Sequence, residues 1–209
     1  MARTRAENPN AGNALGRAAI GGGLGLGAAL ALAAACAATF SGNANALQAE
    51  RPAIVSAMND CESGARDGAA DGRALGACDI LVRDPSFDDA MRARILVNRG
   101  VIALDRGSYG PARDDLEQAV RLAPDLAEAW LNLSAARVRT NDADGAIEAA
   151  RTARERGANR ALSLFNEAIA LETLRRWDEA YETYLDAADA APNNETLQAQ
   201  PARFARHQG

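Results

Sequence analysis

A period of 34 residues runs through the second half of the chain. The most visible mark of it is a set of asparagines at Asn98, Asn132 and Asn166. A repeat of about 20–50 residues indicates an array of small stacked units, and it constrains the fold more than any single local motif. Small residues recur with the same step in three further slots: Gly100, Ser134 and Ala168; Ala112, Ala146 and Ala180; Ala119, Ala153 and Ala187.

Each unit has the pattern of two helices joined by a short bend. Apolar residues recur at three- and four-residue spacing in both halves, and Pro124 and Pro192 end the second half of two units. Turn residues stand at Gly107 and at Asn141. The small slots indicate close helix crossings, with Gly100 opposite Ala112. We therefore predict an all-α solenoid of antiparallel helix hairpins, with repeats at 93–126, 127–160 and 161–194.

These units resemble tetratricopeptide repeats. The resemblance covers residues 93–194 and implies a right-handed superhelix whose first helices line a concave groove. Its residues are Gly100, Gly107, Tyr109, Ala112, Leu116, Ala119 and Pro124 in the first unit; Trp130, Leu133, Ser134, Ala146 and Ala153 in the second; and Ala168, Trp177, Ala180, Tyr184, Ala187 and Pro192 in the third.

Residues 47–92 are predicted to form a degenerate hairpin that caps the array. Its turn falls near residues 68–71, which places Cys61 and Cys78 side by side on antiparallel helices. We expect a structural disulfide between them if the chain is exported, and buried thiols if it is cytosolic. Residues 195–209 are expected to add a C-terminal cap and a tail.

The first 46 residues have a different character. Three arginines precede an uncharged stretch at 18–40, and Ala44-Asn45-Ala46 follows with the small residues that a signal peptidase requires. We predict an export signal cleaved after Ala46, and hence a periplasmic or envelope-associated protein. Two alternatives stay open, an uncleaved inner-membrane anchor and lipidation at Cys36.

The resemblance assigns the asparagine ladder to the floor of the groove, where amides could bond the backbone of a bound peptide. Helical spacing adds neighbours that would line the same groove: Arg94, Val101, Leu162, Phe165 and Ile169. The alternative is that the amides bond neighbouring repeats and only fix their stacking. A cluster of basic residues that would clamp a peptide carboxylate is not visible, so an extended or helical segment with an apolar anchor is the better guess.

Several function classes are disfavoured by composition. The formal net charge is -5 and no Arg-rich block contains interleaved aromatics, which argues against nucleic-acid binding. His207, the only histidine, stands in the polar tail, and no Cys/His pattern suggests a metal site. We therefore predict a non-enzymatic adaptor or assembly scaffold without cofactor at a bacterial cell envelope. The alternative is a structural protein that self-associates into an oligomer.

Overall fold

The computed structural model describes residues 44–68 and 72–205, and these residues form nine α-helices and no strand. The predicted all-α architecture is confirmed. The apolar stretch 18–40, Cys36 and His207 lie outside the described residues. The helices are α1 (Ala44–Asp67), α2 (Gly72–Arg83), α3 (Asp89–Asp105), α4 (Tyr109–Leu122), α5 (Ala127–Arg139), α6 (Ala143–Glu155), α7 (Arg160–Thr173), α8 (Trp177–Asp189) and α9 (Glu195–Ala205).

The helices pack in sequential hairpins. The pairs α1–α2, α3–α4, α5–α6 and α7–α8 each form extensive contacts, and α9 packs on α8. The hairpin α1–α2 lies within predicted unit 47–92 apart from its first residues, and cleavage after Ala46 would remove the first three residues of α1. α3 begins at Asp89, four residues before the first predicted repeat. α5 begins at Ala127, the first residue of the second predicted repeat.

The bends inside the three repeats share one backbone conformation. Gly107, Asn141 and Arg175 have φ values of 76°, 62° and 59°, and they stand 34 residues apart. This left-handed region suits glycine and asparagine, which explains the turn chemistry of the first two bends. Arginine occupies the same position in the third bend, where its Cβ makes the conformation unfavourable.

Polar side chains cap three of the helices, of which only α6 follows one of these bends. Asp88 accepts a hydrogen bond from the Met91 backbone N–H at 2.8 Å at the start of α3. Asp142 and Asn159 cap α6 and α7 in the same way, at 3.1 and 3.0 Å. Each cap gives a partner to an N–H group that has no carbonyl partner within its own helix.

The small slots of the period lie in the core, where helices approach closely. A Cβ added to Gly100 would lie 2.9 Å from the Leu116 Cγ, so Leu116 is the side chain that this glycine accommodates. The sequence had suggested Ala112 as its neighbour. The other members of the small slots are all fully or almost fully buried: Ala112, Ala119, Ser134, Ala146, Ala153, Ala168, Ala180 and Ala187.

The hairpin α1–α2 extends this core toward the N-terminus. Cys61 and Cys78 are both buried, and their Cα atoms are 5.0 Å apart, a separation that a disulfide spans. Their sulfur atoms lie 2.13 Å apart. α1 contacts α3, and α2 contacts α3 as well, so the irregular hairpin stacks on the first repeat as another unit of the array.

Candidate partner-binding surface

The first helices of the four hairpins form one layer of the array. α1 contacts α3, α3 contacts α5, and α5 contacts α7. The second helices contact their own hairpin partner and the next first helix, but they touch one another marginally at most. Because the units crowd together on the side of the first helices, the array curves toward that side, and these helices form its inner layer.

The asparagine slot and the slot four residues before it share one face of each first helix in the repeats. Arg94 and Glu128 are exposed on this face and Asn98 is half-buried. The third repeat has the apolar Leu162 where the others have a charge, and that leucine is buried. We call this surface the asparagine face; it consists of Arg94, Asn98, Glu128, Asn132, Leu162 and Asn166.

Asn132 is turned back on its own helix. Its side chain is 1% exposed, and its Nδ2 donates a hydrogen bond to the Glu128 carbonyl oxygen at 2.8 Å. A carbonyl can only accept, so the contact fixes which end of the amide is the nitrogen. The Oδ1 atom at the other end is buried and has no hydrogen-bond partner among the described residues.

Asn166 instead reaches the preceding repeat. Its Nδ2 donates to the Leu131 carbonyl oxygen at 3.2 Å and to the Ser134 Oγ at 2.6 Å, both on α5. Ser134 in turn donates to the same carbonyl at 2.7 Å. Asn166 is 2% exposed, and its Oδ1 is also buried without a partner in the described part of the chain. This geometry corresponds to the stacking role that the sequence left open as the alternative.

The remaining predicted groove residues divide between the surface and the core. Arg94 is exposed and Ile169 is half-buried, so both are placed where a partner could reach them. Val101 is 0% exposed, and Phe165 packs edge-on against Tyr184 with ring centroids 5.7 Å apart. Their placement, like that of the buried Leu162, differs from the groove-lining role expected from helical spacing.

Arg139 at the end of α5 is engaged by the first repeat. Its guanidinium lies 4.3 Å from the ring centroid of Tyr109, over the ring, and it also donates to the Tyr109 hydroxyl. A cation over an aromatic face is attracted by the ring quadrupole, which positions the exposed guanidinium without removing its charge. Arg139 therefore joins two consecutive hairpins.

A polar group of side chains fixes the C-terminal end of the array. The Tyr184 hydroxyl donates to the Glu172 Oε2 at 2.9 Å, and Arg203 of α9 donates to the same oxygen. Burial, together with the neighbouring carboxylate, raises the pKa of the Tyr184 phenol above its ordinary value, and the tyrosine stays a neutral donor. Glu172 therefore links α9 to the third repeat through Arg203.

Two charged residues that sequence reasoning missed connect neighbouring hairpins. Arg99 bonds Asp79 of α2 at 2.6 Å and Asp115 of α4 at 2.6 and 2.8 Å. Glu167, only 5% exposed, accepts from Arg151 at 2.7 Å and from Arg154 at 2.9 Å, both on α6. The available signal was their position: they stand 34 residues on either side of the buried Leu133, in a slot where a charge is unexpected.

The described residues show no arrangement for metal binding. Within residues 44–68 and 72–205, no three His, Cys, Asp or Glu side chains are grouped so that they could hold an ion. In the same part of the chain no helix combines the length and the apolar character that crossing a membrane requires. The stretch 18–40, on which the prediction of a membrane anchor rests, is not among these residues.

Comparisons with known proteins agree with this geometry. Residues 93–126 match the family "Tetratricopeptide repeat". None of the curated proteins compared with the chain matches it.

Solved structures with the same fold include MamA from MSR-1, with a TM-score of 0.60 and 20% identity over 75% of this chain and 87% of that one. The Arabidopsis OM64 tetratricopeptide repeat domain gives 0.53 and 19%, over 57% and 98% of the two chains. The first such domain of Spaghetti (RPAP3), bound to the HSP90 peptide SRMEEVD, gives 0.53 and 18%, over 58% and 96%. At these identities the likeness is one of fold.

Proposed function

Because this chain is a tetratricopeptide repeat protein, we propose that it is a non-enzymatic adaptor or assembly scaffold that binds a segment of another protein on its inner layer. Repeats of this family are generally protein–protein interaction scaffolds. The Spaghetti (RPAP3) domain, which has the same fold, is bound to a peptide, and this supports the proposal. The surface assigned to the partner is the accessible part of the asparagine face, Arg94, Asn98 and Glu128, with the half-buried Ile169 beside it.

The observation that carries the proposal is the rigid stacking of the first helices. Hydrogen bonds from Asn166 to Leu131 and Ser134 join α7 to α5, and Arg139 joins α5 to the hairpin before it. These contacts hold the backbone of α5 against α7 and against the first repeat, so the helix that presents the exposed Glu128 is fixed in place. A receptor whose helices are already packed loses little conformational entropy when it binds, which favours recognition of a flexible segment.

We place this adaptor at a bacterial cell envelope, either released into the periplasm after cleavage at Ala46 or anchored by residues 18–40. The leader sequence supports export, and the adjacent Cys61 and Cys78 suit a compartment where disulfides persist. The mass of the protein purified from its source cells tests both points. The cleaved form is expected to have a mature N-terminus at Leu47 and two cysteines that resist alkylation without reductant, and the anchored form the full-length mass with alkylation of Cys36 alone. Alkylation of Cys61 and Cys78 without reductant would contradict the proposal.

Partner capture from crosslinked envelope fractions tests the binding surface. The informative variant is Glu128→Arg, on the exposed inner surface, and its matched control is Glu148→Arg, at an exposed position of the second helix α6. Both substitutions change the net charge equally. We expect one partner to be captured by the wild type and the control and to be lost with Glu128→Arg. Equal capture by all three proteins would move the binding surface elsewhere, and capture of none would contradict the adaptor function.

A further inference from the structure

The bend of the third repeat, residues 174–178, differs from the other two bends in what it exposes. Among the described residues four large apolar side chains are exposed, and two of them, Leu174 and Trp177, belong to this bend. They are 36% and 49% exposed and stand three residues apart on one tight turn. The slot of Trp177 holds the half-buried Tyr109 in the first repeat and the buried Ala143 in the second. The third bend therefore presents an apolar surface that the other two do not have.

Charged residues of opposite sign flank this apolar pair. Arg175 lies between its two members and Asp178 follows Trp177, and both charged residues are exposed. Neither forms an ion pair with another described residue. The neighbouring Arg176 and Glu179 neutralise each other through contacts of 2.6 and 2.7 Å. The third bend is therefore left with one uncompensated cation and one uncompensated anion.

The backbone of the third bend favours a residue that the sequence does not use. Arg175 has a φ of 59°, in the left-handed region where the other bends have Gly107 and Asn141. Arginine is less favourable there than glycine or asparagine, and strained positions of this kind concentrate where a side chain has a function. Arginine and tryptophan are also the residues that contribute most often to the binding energy of protein interfaces. Their combination on one bend indicates a contact surface.

We infer that the third bend is a contact between two copies of this chain that are related by a two-fold axis. In such an interface the same surface meets itself, so each contact between unlike residues occurs twice. Leu174 and Trp177 pack against the same residues of the second copy, while Arg175 of each copy pairs with Asp178 of the other. A second copy suits the third bend because it supplies both the apolar surface and the two charges that the bend requires.

The size and the charges of the third bend limit what it can bind. A surface of a few residues lies below the total area of about 1,200–2,000 Å² that stable interfaces bury, so the dimer is weak and depends on concentration. A membrane suits the bend less well. Anionic lipids attract clusters of uncompensated cations, whereas here Asp178 and Glu179 offset the two arginines. The contact uses none of the residues assigned to the partner on the inner layer, so it does not depend on the proposed function.

Sedimentation velocity of the full chain tests the inference over about 5–200 µM, a range suited to a weak interface. The average mass of the wild type should rise from 21.8 kDa toward twice that value. Arg175→Asp brings two carboxylates together across the axis and Asp178→Arg brings two guanidinium groups together, so each variant should weaken the dimer by about tenfold or more. The double variant restores both pairs, and its dissociation constant should return to within about threefold of the wild-type value.

A matched pair of alanine variants separates the third bend from general apolar attraction. Trp177→Ala and Ile80→Ala each shorten one exposed apolar side chain, and Ile80 lies on α2 of the N-terminal hairpin. Circular dichroism confirms that each variant is folded, and only Trp177→Ala should weaken the dimer. If Trp177→Ala does not fold, the charge variants decide the test.

Four results would overturn the inference. They are a wild type that stays monomeric, equal weakening by the two alanine variants, a double charge variant as weak as the single ones, and a membrane role. Vesicles of phosphatidylcholine and phosphatidylglycerol test the last: binding that requires Trp177, without self-association, would assign the third bend to a membrane. The capture experiment with Glu128→Arg decides the proposed function separately.

Discussion

Two junctions between neighbouring hairpins are held by ion pairs, and the central residue of one set has the opposite charge to that of the other. Where the first repeat meets the N-terminal hairpin, a central arginine, Arg99, reaches back to Asp79 on the preceding second helix. Where the third repeat meets the second, a central glutamate, Glu167, reaches back to Arg151 and Arg154. The slot is the same in both, but the polarity is reversed.

The junction between these two has an apolar residue in that slot, the fully buried Leu133. In this slot, successive junctions have a cation, an apolar residue and an anion, while an ion pair between Arg137 and Glu117 at 3.5 Å crosses the middle junction elsewhere. An array stacked in the wrong order would bring Arg99 against the arginines of α6, a like-charge contact that disfavours the wrong pairing. The comparison indicates that the residue in one slot of the period distinguishes each junction from the others, while the small residues allow close helix packing at all of them.

The two ionic junctions differ in how deeply their central charged residue is buried, and Glu167 is more buried than Arg99. The largest effect should follow from removing the cations that pair with Glu167. Arg151→Ala combined with Arg154→Ala removes both cations that bond the buried Glu167 carboxylate, and we expect the free energy of unfolding to fall by about 3–5 kcal/mol. Urea denaturation followed by circular dichroism measures this. Adding Glu167→Leu, which copies the residue at Leu133, should recover most of the loss. A triple variant as unstable as the double variant would show that the arginines act by packing.

The N-terminal hairpin differs from the hairpins of the three repeats because its two helices have cysteines, Cys61 and Cys78, that lie close enough to be linked. If Cys61 and Cys78 form a disulfide, replacing both with alanine should lower stability by about 3 kcal/mol, as expected for a loop of this size. Hydrogen exchange should show the loss in α1 and α2, because those helices are the ones that the link closes. Unchanged exchange in α1–α2 after complete reduction of the wild type would mean that apolar packing alone holds this hairpin.

Two glycines on either side of the N-terminal junction should respond in opposite directions. Gly100→Ala places a Cβ 2.9 Å from Leu116, and the overpacking should outweigh the gain in helix propensity, for a net loss of about 1 kcal/mol. Gly76→Ala in α2 meets no atom within 4 Å and should raise stability by about 0.5–1 kcal/mol. Thermal melts of the two variants give the comparison, and a stabilising Gly100→Ala would show that α3 and α4 can separate slightly.

The sequence was sufficient for features that repeat. The period located the hairpins, the small slots marked the buried crossings, and Gly107 and Asn141 marked bends whose backbone is left-handed. It failed where the repeats differ from one another. Arg99 and Glu167 were missed because their partners lie 13–20 residues away on other helices, and a search for similarity discards residues that are dissimilar.

The asparagines show the same limit within the candidate site. The ladder was visible in the sequence, but Asn132 bonds its own helix and Asn166 bonds the preceding repeat. Which partner each amide takes depends on the distance between helices, which no spacing in the sequence gives. For the same reason the burial of Val101 and Phe165 could not be read from their helical phase.

These two asparagines allow the junction between the second and third repeats to be tested without changing charge. Asn166→Leu removes its bonds to Leu131 and Ser134, and we expect a loss of about 1 kcal/mol. Asn132→Leu removes a bond within one helix together with an unpartnered buried oxygen, so its net effect should be close to zero. Chemical denaturation of the pair tests this, and equal losses would assign the same stacking role to both.

The smallest effect concerns the bend of the third repeat. Arg175 has a φ of 59° where the first repeat has Gly107, and a side chain in this region costs about 1–2 kcal/mol. Arg175→Gly should relieve that cost, but glycine also loses more backbone entropy on folding, so we expect a net gain of about 0.5 kcal/mol. Arg175→Ala serves as the control, because it removes the charge and keeps the strain, and it should give no gain. If both variants stabilise the protein alike, the charge of Arg175 is the unfavourable feature, and the left-handed bend carries no strain that distinguishes the third repeat from the first.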